Sequence, residues 1–270
     1  MFQNKAKKLQ KLFSHRFSQN IWRIIPDSEP GSDQWIVELR DAAEKKASFA
    51  LIDLGKNEVI WQKIPEATDW WTSLTAFSFG HIFLHNYRFQ EIPEPTDLLM
   101  ISAETGDLQW VLPNHVLVKT RNEYRIEVAQ KTGEGFKYSL RNVETGVQVS
   151  EDSGYVSEVE PIILQEPVRY LEGNVYFERL ASFIKEMTDG HEPICIDYLD
   201  KRPVMMFSYY IYEREKVSEY LLVVSDKMER IHYEQLTLER DGIGRSTMFL
   251  KGSKLVFLKN NNEFSSLTLS

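Results

Sequence analysis

Met100-Ile101-Ser102-Ala103-Glu104-Thr105-Gly106-Asp107-Leu108-Gln109-Trp110 runs in a fixed order: an apolar stretch, a polar residue, a tight turn and a bulky ring. The same order stands upstream as Leu51-Ile52-Asp53-Leu54-Gly55-Lys56-Asn57-Glu58-Val59-Ile60-Trp61 and downstream as Leu140-Arg141-Asn142-Val143-Glu144-Thr145-Gly146-Val147-Gln148-Val149-Ser150. From Asp53 to Ser102 is 49 residues, and from Ser102 to Asn142 is 40. An internal repeat of this period, with strands around its turn, predicts an all-β chain built from β-propeller blades.

The turn chemistry supports strands. Thr105-Gly106 and Thr145-Gly146 sit between apolar runs, and glycine takes the positive φ that a tight hairpin demands. Asn57 stands at that place in the first copy, and asparagine tolerates the same conformation. A weaker fourth copy, Tyr220 to Lys227, puts Ser225 at the polar position and Tyr233 at the ring position. Its polar residue lies 83 residues after Asn142, room for one blade with an insertion or for two, so the count is five blades with six as the alternative. Leu180, Phe183, Ile184 and Met187 have helical spacing inside the stretch 151–190, which reads as the insertion.

At the C-terminus, strands are expected at 248–250, 255–259 and 264–269, one short of a full unit. The strand Asn20-Ile21-Trp22-Arg23-Ile24-Ile25-Pro26 is expected to complete it, joining the termini and closing the ring as one domain over 1–270. The segment 1–19 places Phe2, Leu9 and Phe13 on one helical face and is expected to form a short capping helix.

Thr105-Gly106 with Trp110, preceded by Ser102, resembles the repeat of quinoprotein-type propellers, and Asp53 with Trp61 matches it too. The whole chain also resembles an uncharacterised bacterial family of similar length, which implies no activity. Quinone-dependent dehydrogenases of this type have eight blades, a secretion signal, a calcium site and usually neighbouring cysteines. The 270 residues here are too few for eight blades and hold a single cysteine, so neither a quinone nor a metal cofactor is expected.

Composition narrows the partners. With 32 Lys plus Arg against 40 Asp plus Glu, the net charge of −8 offers no field for a phosphate backbone, and nucleic acid is not expected. No apolar run reaches the roughly 20 residues of a membrane span. Cys195 has no partner for an internal disulfide, which agrees with a cytoplasmic location.

Candidate chemistry is sparse. His81 and His85 are four apart, about 13 Å along a strand and too far for one metal ion. His191 and Cys195 lie close in sequence, but Ile194, Ile196 and Tyr198 around the thiol read as a strand entering the core. Gly242-Ile243-Gly244-Arg245 reads as a polar loop, and the acidic stretch Glu151 to Glu160 as a solvated one.

Asp69-Trp70-Trp71 lies in the link before a strand at Ser73, where an exposed tryptophan can anchor a partner. These three residues are the expected working surface. The reading is therefore a non-enzymatic module that binds a protein; the alternative is an enzyme, or a small-ligand or carbohydrate binder, with a pocket on the central axis.

Overall fold

The computed structural model describes residues 9–89, 91–92, 94–150 and 164–269. The chain divides into two compact units, one of residues 18–162 and one of residues 1–17 with 163–270.

β1 (Gln10–Arg16) belongs to the second unit; the strands of the first follow it in the chain. β2 (Asn20–Pro26), β3 (Gln34–Asp41), β4 (Lys46–Asp53) and β5 (Glu58–Lys63) form sheet 1. β6 (Ser73–Ser78), β7 (His81–Asn86), β8 (Asp97–Ser102) and β9 (Leu108–Pro113) form sheet 2. β10 (His115–Thr120), β11 (Arg125–Thr132), β12 (Gly135–Asn142) and β13 (Gln148–Val149) form sheet 3. Each is an antiparallel meander in which every strand pairs with its neighbour in sequence, the form of a propeller blade.

The middle strands are apolar without interruption because both their faces are covered. Ile82 and Leu84 of β7 pack with Ile36, Phe49 and Leu51 of sheet 1, while Phe83 between them packs with Ile126 and Val128 of sheet 3. Alternate residues of one strand thus enter two cores.

The repeat joins these sheets. The Trp61 indole donates to the Ala103 carbonyl at 2.7 Å, and that of Trp110 to the Val143 carbonyl at 2.8 Å. Each ring therefore sits on the turn of the next copy. A Cβ at Gly106 would lie 3.0 Å from the Trp61 ring, and one at Gly146 would lie 3.2 Å from Trp110. Asn57, Gly106 and Gly146 share a positive φ, at 59°, 70° and 69°.

In the second unit, β14 (Leu164–Gln165) precedes β15 (Val168–Leu171), which leads into the helix α1 (Phe177–Met187). β16 (Cys195–Lys201), β17 (Val204–Glu213), β18 (Lys216–Ser225) and β19 (Arg230–Arg240) join β15 as sheet 4. β20 (Met248–Lys251), β21 (Lys254–Lys259) and β22 (Glu263–Thr268) form sheet 5, with β1 on one edge and β14 on the other. One face of sheet 4 packs Met206, Leu221 and Val223 against Leu255 and Phe257 of sheet 5; α1 covers the other face through Phe177 and Ile184.

The expected ring closure is overturned. Asn20–Pro26 pairs with Gln34–Asp41 and heads its own sheet, and the strand that lies beside β22 is Gln10–Arg16. The five sheets are separate and none closes on itself. The short helix expected within 1–19 gives way to strand β1. Leu9, Phe13 and Phe17 recur every four residues, a spacing that fits one face of a strand as well as one of a helix, and here all three are buried. Residues 1–8, which carried the remainder of that helix, and the acidic stretch 151–163 lie outside the described residues.

His85 ties sheet 2 to sheet 3. The Leu117 N–H donates to Nε2 at 3.0 Å, so Nδ1 carries the proton and faces Thr75 Oγ1 at 3.0 Å. Burial lowers its pKa from 6.5 to about 4.

Two outcomes follow from these contacts. Gly106→Ala and Gly80→Ala share the cost of a positive φ, at 70° and 75°, but a Cβ at Gly80 meets nothing within 4 Å. Gly80→Ala should cost about 1 kcal/mol in urea unfolding and Gly106→Ala distinctly more, since it must displace an indole. For His85, protons bind the unfolded chain first as pH falls below 6.5, and the folded one only near 4. Stability should fall across that window by about 1.4 kcal/mol per pH unit and level off below it. His85→Gln should remove this loss, seen as a smaller difference in unfolding free energy between pH 7 and pH 5.

Candidate functional site

The link between β5 and β6 carries Asp69, Trp70 and Trp71, with the two rings on a turn. Asp69 makes that turn: its Oδ1 accepts the Trp71 N–H at 2.8 Å, and its own N–H donates to Thr72 Oγ1 at 2.9 Å. Thr72 Oγ1 donates in turn to Asn86 Oδ1 at 2.5 Å, which pins the link to the end of β7.

Beneath the turn lies Arg40. Its guanidinium donates to the Trp70 carbonyl and, at 2.6 Å, to the Thr72 carbonyl, and its central carbon stands 5.1 Å from the Trp70 ring. The charge is held by Glu38, whose Oε1 accepts Arg40 Nε at 2.8 Å and whose Oε2 accepts the Leu74 N–H at 2.7 Å. Glu38 is fully buried. A buried ion pair recovers its desolvation cost only when further hydrogen bonds complete it, and here the backbone of residues 70–74 supplies them. The turn is thereby fixed on a charged anchor.

Trp70 is half-buried against Arg40, while Trp71 is 38% exposed. Around them stand Trp22, Tyr87, Phe89 and Ile92, and with Arg40 and Ser73 these residues line a cleft of about 410 Å³ within the first unit. Trp22, Phe89 and Ile92 are 58%, 59% and 49% exposed. Trp22 reaches the cleft because it is the extra residue of a bulge: Ile21 pairs with Leu39 and Arg23 with Glu38, leaving the ring between them unpaired.

Of the residues that line this cleft, the sequence singles out Trp70 and Trp71, with Asp69 in the turn that carries them, and leaves Trp22, Arg40, Ser73, Tyr87, Phe89 and Ile92 unmarked. Two signals were present. Ile21 and Ile24 are three apart, which breaks the alternation of a flat strand. Glu38 and Arg40 are two apart beside an apolar run, which puts opposite charges on one strand face.

The other candidates go elsewhere. His81 and His85 both lie on β7, and His85 serves the contact between sheets. His191 Nδ1 contacts the Tyr209 hydroxyl at 2.9 Å, on the face of sheet 4 opposite Cys195, which pairs with Tyr210. The two are not a nucleophile pair. Burial pushes the Cys195 thiol up to about 11, away from the thiolate. The Gly242–Arg245 loop is held by Arg169, which donates to the Gly244 carbonyl at 2.7 Å while pairing with Asp197 through two bonds of 2.7 Å. Among the described residues, no group of three or more His, Cys, Asp or Glu is placed to share a metal ion, and no helix is long and apolar enough to cross a membrane.

Residues 28–110, which contain β3 to β8 and the start of β9, match the family described as Domain of unknown function (DUF4905). No curated protein matches the chain in sequence. Among solved structures, a member of the duf4221 family from Bacteroides vulgatus is similar at 10% identity and a TM-score of 0.27, covering 97% of this chain and 98% of that one. The β-propeller domain of the Trilobed protease from Pyrococcus furiosus is similar at 9% identity and a TM-score of 0.30, covering 90% of this chain and 78% of that one. Neither likeness bears on what the cleft does.

Proposed function

We propose that this protein is a non-enzymatic binding module and that the cleft of Trp22, Trp70, Trp71, Tyr87, Phe89 and Ile92 receives apolar side chains of a protein partner. One observation carries the reading: large apolar groups from three separate segments of the first unit converge on a single concave surface, where Trp22, Trp71, Phe89 and Ile92 stay exposed. Singly exposed apolar residues are ordinary, whereas a cluster of this kind marks a contact surface. Tryptophan and tyrosine are also the residues that dominate binding energy when an interface covers them.

The anchor beneath supports the same reading. Because the Glu38–Arg40 pair holds the backbone of residues 70–74, the rings need little further ordering when a partner arrives. The Trp61 and Trp110 contacts support describing the repeats as quinoprotein-like in form, and the single buried cysteine fits a cytoplasmic protein.

The test separates binding from stability. Trp71→Ala should cost less than about 1 kcal/mol in unfolding, and Trp70→Ala about 2 kcal/mol, because only Trp70 has a ring packed on Arg40. Proteins retained by the immobilised wild type and lost by Trp71→Ala are identified, purified and titrated against both forms. At least a tenfold weaker Kd for Trp71→Ala is expected. Equal affinity, or loss of stability by the full core amount of 3 to 5 kcal/mol for both variants, would remove the cleft as the working surface.

A further inference from the structure

Resting on the reading of the cleft as a protein-docking site, we infer that its occupant is a proline-rich segment in the polyproline II conformation. The inference comes from accounting for hydrogen bonds in the walls. Trp35 is buried in the core, and the other five tryptophans fall into two sets. Trp61 and Trp110 donate their indole N–H to carbonyls of the next repeat. The indole N–H groups of Trp22, Trp70 and Trp71, and the phenol of Tyr87, have no hydrogen-bond partner among the described residues. The residues that line the cleft therefore combine apolar ring faces with donors that have no partner among the described residues.

The Trp70 and Thr72 carbonyls and the Arg40 charge are by contrast already engaged, and the Tyr87 hydroxyl is the one side-chain acceptor of the lining without a partner among the described residues. Arg40 directs its guanidinium to Glu38 and to the carbonyls of Trp70 and Thr72. Ser73 Oγ faces Glu38 Oε2 at 3.4 Å, and among the described residues no carboxylate lines the cleft. A suitable occupant supplies apolar surface and more hydrogen-bond acceptors than donors, since the lining offers three indole donors against the one Tyr87 hydroxyl that can also accept.

Polyproline II meets each condition. It has no internal hydrogen bonds, so its carbonyls remain free acceptors, and proline brings no N–H. Its three residues per turn place prolines i and i+3 on one side, about 9 Å apart, where they insert between neighbouring rings. An amphipathic helix fits less well, because its carbonyls are bonded internally and the indole donors would be buried without partners. A sugar fits less well too, since each hydroxyl brings a donor that needs an acceptor from the wall.

The experiment uses the full chain with three fluorescein-labelled probes: a twelve-residue peptide with proline at every third position and at both flanks, a Gly-Ser peptide of equal length, and a labelled cello-oligosaccharide. Fluorescence anisotropy should show the proline peptide binding at least tenfold more tightly than the Gly-Ser peptide. Trp22→Phe and Trp71→Phe keep a ring and lose the donor, and each should weaken the proline peptide about fivefold with melting temperature unchanged. Trp71→Ala should weaken it further. Equal affinity for the two peptides overturns the inference but leaves the docking reading standing if the purified partner still loses affinity with Trp71→Ala. Proline-peptide binding that ignores all three substitutions overturns it as well, by placing the contact elsewhere. Tighter binding of the oligosaccharide, lost with Trp71→Ala, overturns both readings at once.

Discussion

The first unit depends on the contact between an indole and a glycine turn. Each half of the contact explains the other. The Trp61 and Trp110 rings can lie against the Thr-Gly turns because no Cβ stands at Gly106 or Gly146, and the positive φ there turns the chain so that the Ala103 and Val143 carbonyls are offered to the indole N–H. A ring of this size contributes on the order of 150–250 Å² of buried area, and its hydrogen bond fixes the register of one sheet against the next. Sheets joined only by apolar faces would be free to slide. The latch recurs where two sheets of this unit must be joined, and the third copy, whose Ser150 replaces the ring, is the last in that unit.

Glu38 and Arg40 do for the cleft what the latch does for the sheets. Their positions on β3, two residues apart, put both on the face that meets the link before β6, and the bulge at Trp22 lies directly across from them because Ile21 and Arg23 pair with Leu39 and Glu38. One short piece of β2 and β3 thus sets a bulged ring, a buried acid and its arginine side by side. Bulges at corresponding places in β1, β6 and β10 show that the first strand of a sheet tolerates an extra residue near its middle. In β6 the extra residue is Thr75, which serves His85, and in β2 it is Trp22, which serves the cleft.

The repeat made the strands and their turns legible, and the spacing of Leu180, Phe183, Ile184 and Met187 did the same for the helix, because period and turn chemistry act locally. Asn57, Gly106 and Gly146 were readable as positive-φ positions from residue type alone. Strand partners were not readable in the same way. Asn20–Pro26 looked unpaired because Trp35 to Arg40 contains Glu38 and Arg40, and charges on a middle strand hide it from a search for apolar alternation. The segment 1–19 looked helical because the spacing of four between Leu9 and Phe13 satisfies both periods. In the site, Asp69-Trp70-Trp71 stood out as a local cluster, whereas Tyr87, Phe89 and Ile92 join it only through the pairing of β6 with β7.

Tryptophan by itself does not distinguish core from working surface, and burial alone divides these residues poorly. Trp61, Trp70 and Trp110 are all half-buried, yet they do different things. The indole N–H separates them. A ring placed for packing must have its donor satisfied within the protein, since an unpaired buried donor costs about 1–3 kcal/mol. Trp61 and Trp110 meet that demand through carbonyls that the repeat itself positions. Trp70 is held by its backbone carbonyl and its ring face on Arg40, and its indole N–H has no hydrogen-bond partner among the described residues. The difference arises from position relative to the turn. A ring eight residues after the polar position meets the next repeat, and a ring in the link between sheets does not.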